Sequence, residues 1–145
     1  MARGWLQHLR ESAIFKVERL DAAQLRWRPA PTANSLGVIV VHLGYSERLW
    51  LRAIGAGERM DMAWRAHMFD LPDGWDVDDA VAFYREESAR GDAALDQIAS
   101  LDLPSRGDFR PTTFRWAVFH LIEETARHVG HMDVSQELLD GSLGR

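Results

Sequence analysis

Apolar residues recur at steps of three and four along most of the chain, and the pattern resolves into four helical segments. Residues 4–20 place Trp5, Leu6, Leu9, Ala13, Phe15, Val17 and Leu20 on what is mostly one amphipathic face. A second helix begins near Asn34 or Ser35, either able to cap it, and runs over about 35–55. Its predicted buried face is Ile39, Leu43, Leu49, Trp50, Ala53 and Ile54, with His42 inside that face. A third helix, capped near Asp76, spans 76–100 with Val77, Val81, Tyr84, Leu95 and Ile98 in register and Gly91 interrupting them. The last and longest covers 112–140, with an apolar strip of Val118, Leu121, Ile122, Thr125, Val129, Met132 and Leu139. Its opposite arc, Glu123, Arg127, Asp133 and Glu137, reads as solvated.

The connections differ in kind. Asp21 is placed to cap a short turn before Pro29 and Pro31 stop any regular helix. Residues 55–75 are too long for a turn and too rich in Met, Trp and Phe for a floppy linker. They read as a crossover covering one end of a bundle, with His67, Met68 and Phe69 either a lid or a packed cover. The last connection, 103–111, contains Pro104, Gly107 and Pro111. The expectation is an all-α, four-helix bundle with a long crossover between helices 2 and 3, as one domain over 1–145.

Composition narrows the function. The 145 residues are 46% apolar and 27% charged, an ordinary globular balance. A net charge of −5, with no block of basic residues, argues against nucleic acid as partner. No apolar run approaches a membrane span and no signal peptide opens the chain, so a cytoplasmic protein is expected. The absence of cysteine excludes disulfides, thiolate ligands and a cysteine nucleophile. Any thiol chemistry must use a sulfur brought by a substrate. Neither a glycine-rich phosphate loop nor GxSxG nor HExxH occurs.

The last helix carries the informative polar pattern. His120, Glu124, His128 and His131 follow one another at four, four and three residues, which confines them to roughly 80° of helical arc. That stripe borders the apolar strip, where polar groups need partners. Glu124 and His128, one turn apart, are able to hold one ion between them. A bundle can set His42 opposite this pair, giving an N, O, N donor set with positions left open, as in catalytic zinc sites; nickel, iron and cobalt accept the same donors. Alone, each feature has a bland reading: a core histidine bonded to a carbonyl, and a surface Glu-x3-His pair. His131 is an alternative ligand or an orienting partner, and His120 faces the site mouth. Adjacent Glu123 and Glu124 point about 100° apart and make a poor acid–base pair. Asp78, Asp79, Glu86 and Glu87 read as a solvated face.

The stretches SLGVIVVHLGYSERLW and TTFRWAVFHLIEETARHVGHMDVSQELLDG, in this order, resemble the DinB-like superfamily of small metal-binding four-helix proteins. The resemblance covers nearly the whole chain and is closest to a branch of short, mostly actinobacterial members with a QLRWRP-type connector. It implies a divalent metal, zinc or nickel, between His42 and the pair Glu124 and His128. Glu124 departs from the commoner all-histidine set and matches the variant in mycothiol-dependent maleylpyruvate isomerase. That isomerase is similar only in the bundle, so its activity is not implied.

Two functions follow. The first is a metal-dependent transferase joining a low-molecular-weight, mycothiol-like thiol to an electrophile, for detoxification. The alternative is a non-catalytic metal or small-molecule binding module in a stress or damage response. An open coordination position beside a pocket favours the first, and a closed site the second. A homodimer is expected, partly from the resemblance and partly because six tryptophans are many for this length.

Overall fold

The protein, seen in a computed structural model, is described over residues 1–107 and 112–143. Five α-helices follow in order: α1 (Ala2–Phe15), α2 (Ala22–Arg26), α3 (Leu36–Glu47), α4 (Val77–Asp96) and α5 (Phe114–Asp140). A π-helical segment, Arg48–Ala56, continues α3 without a break, and a 3-10 segment, Ala63–His67, lies in the crossover. The four long elements are the expected bundle, and the crossover joins its second and third members. Among the described residues β structure is limited to an isolated bridge between Pro104 and Thr113. Pro111, read as part of the last connection, lies outside the described residues.

Local chemistry sets the boundaries. Asp21 and Gln24 form a reciprocal capping box, which turns the expected short turn into helix α2. Ser35 accepts from the Val38 amide at 3.2 Å to start α3, and Asp76 with Asp79 repeats the box at α4. Thr113 caps α5, which ends at Gly141 with φ 79°. The first helix stops at Phe15, earlier than its periodicity predicts. Val17 is still fully buried, but on the turn that follows.

The second helix differs most from expectation. Leu36 through Leu43 are all buried, so α3 has no solvated face and runs through the middle of the core. The other long helices wrap it, with α4 packed most closely: a Cβ on Gly44 would sit 2.6 Å from Phe83 Cε1. Beyond Glu47 the wider π-helical turn carries Arg48, Trp50 and Arg52 before Gly57, at φ 68°, ends it. Such turns are rare and often mark functional sites.

A central helix carrying charge needs buried partners. Glu47, fully buried, accepts from Arg10 Nε at 2.7 Å and Nη2 at 2.8 Å, while Arg10 Nη1 reaches Asp92 at 2.9 Å. Burial pushes the Glu47 carboxyl up despite Arg10. Glu87, 1% exposed, receives Arg48 and Arg52, each at 2.7 Å. That corrects its reading as part of a solvated face: two cations on the π-helical segment hold it inside. Lys16, just past the end of α1, is likewise buried and paired with Asp133 on α5.

Arg10→Met leaves Glu47 buried without its cation, which costs about 3–5 kcal/mol of stability in urea denaturation. The double variant Arg10→Met/Glu47→Leu recovers most of it. A single-variant loss below about 1 kcal/mol, the range of exposed pairs, contradicts this role.

Candidate metal centre

His42 lies on α3, and Glu124 and His128 lie one turn apart on α5, where the two helices meet. One ligand atom from each residue falls within 4.8 Å of the others. Among the described residues this is the group of histidine and acidic side chains able to share an ion. His42 is 3% exposed, and its Nε2 lies 3.1 Å from Glu124 Oε1. The His42 and His128 rings meet edge to face at 4.7 Å. Bonds of about 2.0–2.2 Å place tetrahedral ligand atoms roughly 3.3–3.6 Å apart, so a small inward closure would let the three donors share one ion with a position left open.

The carboxylate is held from both oxygens. Ser46, one turn after His42, approaches Glu124 Oε1 at 3.4 Å. Trp50, one further step of four, donates its indole N–H to Oε2 at 3.0 Å. His42, Ser46 and Trp50 thus form a polar edge on an otherwise apolar element, facing one carboxylate on α5. Sequence reasoning put Trp50 in the buried face and passed over Ser46. The signal was the four-residue step from His42, masked because Trp and Ser are ordinary core and helix residues.

The donor chemistry fits a divalent cation. Burial opposes charge on Glu124, but hydrogen bonds from His42 and Trp50 outweigh it and hold the carboxyl below its ordinary range. Burial, with His42 next, pushes His128 down to about 4. Near neutral pH the pair is therefore a carboxylate beside a neutral imidazole, the states a metal needs. His42 Nδ1 and His128 Nδ1 are buried without a hydrogen-bond partner. Among the described residues no Lys or Arg bonds to Glu124, in contrast to Glu47 and Glu87. A largely buried carboxylate without a fixed cation, bordered by unsatisfied imidazole nitrogens, suits a cation from outside.

The two other histidines of the stripe differ in their contact with this group. His120 is stacked on Trp116 at 4.9 Å and meets Trp50 edge-on at 4.1 Å, with Nε2 3.6 Å from Glu124 Oε2. It borders the carboxylate on the Oε2 side. His131 is exposed and meets the His128 ring edge-on, at 5.6 Å between centroids. From the crossover, Phe69 lies flat on the His42 ring, at 4.1 Å and 15°.

A helical bundle with a His–Glu–His group between its second and last long helices defines a protein of the DinB-like class. The chain belongs to the mycothiol-S-transferase family, whose model matches residues 1–141. No curated protein sequence matches it. Its fold is similar to the crystal structure of a conserved protein from Enterococcus faecalis, with a TM-score of 0.71. The two are 18% identical over 97% of this chain and 96% of the other, so the likeness concerns fold alone.

Trp50→Phe keeps the ring and removes the N–H. Zinc affinity, measured by competition with a chelator, falls about 10- to 100-fold, as for other partners of ligating carboxylates. An unchanged affinity means that the indole does not orient Glu124.

Proposed function

We propose that the protein is a metal-dependent transferase joining a low-molecular-weight thiol of the mycothiol kind to an electrophile. The observation that carries this reading is the converged His42, Glu124 and His128 group, in a mycothiol-S-transferase family chain without a cysteine of its own. His42, Glu124 and His128 hold the ion, zinc or nickel by the family resemblance. When bound, it supplies Lewis acidity that lowers the pKa of a thiol brought to it, giving a sulfur nucleophile near neutral pH.

The protein's own residues do the rest. Trp50 and Ser46 fix the carboxylate so that its orientation does not change during turnover. The buried walls keep water away from the donors, which strengthens each electrostatic contact. Overall, R–SH and E–X give R–S–E and HX: a sulfur–carbon bond forms, the bond to X breaks, and the thiol proton leaves with X. Residues 1–145 act as one domain in this reading, and the match over 1–141 supports it.

The alternative, a non-catalytic binding module, draws on Phe69, which covers His42. Conjugation of mycothiol to a fluorogenic alkyl halide separates the two. The transferase reading expects activity that disappears on chelation and returns with zinc or nickel. Metal-bound protein that conjugates no thiol supports the module instead.

A homodimer remains part of the proposal, on different grounds from the tryptophan count. Trp5 is the most open tryptophan, whereas Trp50 is buried and Trp27, Trp64 and Trp75 are half-buried. The outer face of α5 instead exposes Phe119, Val134 and Leu138, each more than half open. Sedimentation at micromolar concentration is expected to show a dimer that Val134→Glu dissociates. A wild-type monomer refutes it.

A further inference from the structure

A cleft of about 560 Å³ opens where the π-helical segment ends, and its described lining contains none of His42, Glu124 and His128. Three arginines line it from three separate stretches. Arg59 follows Gly57, Arg65 lies on the 3-10 segment of the crossover, and Arg106 belongs to the last connection. All three are exposed, and none has a carboxylate partner among the described residues. Arg10, Arg48, Arg52 and Arg115, by contrast, each hold a carboxylate at 2.7 Å. Glu58 lines the same cleft but is already engaged. Arg52 donates to both its oxygens at 2.7 Å, and those bonds hold the carboxyl below its ordinary range. In a chain of net charge −5, three unpaired cations around one cleft are a local reversal of sign.

The backbone of the cleft is fixed without a ligand. The Arg106 and Gly107 amides donate to the Gly55 and Ile54 carbonyls at 2.8 and 2.9 Å, which seats the last connection on the end of the π-helical segment. A Cβ on Gly107 would lie 2.3 Å from the Ala53 carbonyl oxygen, so the approach needs glycine there. Buried Leu49 and Ile54 give the cleft an apolar floor, and the flexible side chains of Met60 and Met62 extend it.

These features select a ligand class. Each guanidinium is a planar fork of N–H donors that matches carboxylate or phosphate oxygens. One fork suffices for the two oxygens of a carboxylate. A phosphate monoester offers three terminal oxygens and nearly two negative charges, which matches three arginines better. The floor requires an apolar group on the ester, and the cleft has the size of a small-molecule site.

We infer that this cleft binds a phosphate monoester with an apolar body, its phosphate held by Arg59, Arg65 and Arg106. The inference goes beyond the transferase reading and stands without it.

Calorimetric titration with 1-naphthyl phosphate, 1-naphthoate and neutral 1-naphthol tests this. The wild type binds 1-naphthyl phosphate at least about tenfold more tightly than either analogue, because each lacks charge-assisted hydrogen bonds that the phosphate makes. Arg65→Ala/Arg106→Ala removes that advantage, weakening 1-naphthyl phosphate by at least about tenfold. Both side chains are exposed and unpaired among the described residues, so the variant keeps its helical circular dichroism and its zinc affinity. Two controls place the site. His128→Ala, which disturbs the metal centre, and Arg28→Ala/Arg85→Ala, which removes two exposed arginines lining other clefts, both keep wild-type affinity for 1-naphthyl phosphate. A wild type that fails to bind it at millimolar concentration, or wild-type affinity in Arg65→Ala/Arg106→Ala, overturns the inference. So does an equal loss in either control, which puts the anion on the metal or on general surface charge, and so does 1-naphthoate binding as tightly as the phosphate.

Discussion

The Glu124 carboxylate is the constraint on which the site depends. It is drawn into the seam between α3 and α5, and no lysine or arginine among the described residues bonds to it. A charge in that position is costly unless something compensates it. What surrounds it is an imidazole and a hydroxyl on one edge of α3 and an indole N–H on its π-helical continuation, with a second imidazole one turn along α5. Such groups hold a carboxylate in place without neutralising it. The site is thus arranged to take positive charge from solution, and the choice of donors favours a divalent ion over an ammonium group.

The rest of the bundle shows the contrast. Glu47 and Glu87 are more deeply buried than Glu124, and each has guanidinium partners within 2.7–3.0 Å. These pairs satisfy α3 and its π-helical continuation where they cross the core, and they fix the faces those elements present to α1 and α4. With the structural charges neutralised locally, one edge of α3 and its continuation is left for His42, Ser46 and Trp50. The helix is therefore both the centre of the core and the wall of the site.

Much of this was legible in the sequence, and what was not has physical reasons. The four segments, their caps and the long crossover follow from periodicity and from Ser35, Asp76 and Asp21. His42, Glu124 and His128 were identifiable because a histidine in an apolar face and a one-turn Glu–His step need each other as partners. Glu87 was misread because acidic neighbours such as Glu86 are indeed exposed, and only the three-dimensional position of Arg48 and Arg52 distinguishes the two. The π-helical turn has no sequence signature of its own. Whether Phe69 was lid or packed cover also stayed open, since a loop's resting place depends on long-range contact; the structure sets it on the His42 ring.

The central claim, that the triad holds a divalent ion, is tested most directly by elemental analysis of protein purified without chelators, wild type beside His128→Ala. The account predicts about one zinc or nickel ion per wild-type chain, as a three-ligand site requires, with most of it lost in a variant that keeps its helical circular dichroism. Wild-type protein without metal that also fails to take up added zinc or nickel, or a variant that retains the ion in full, contradicts it.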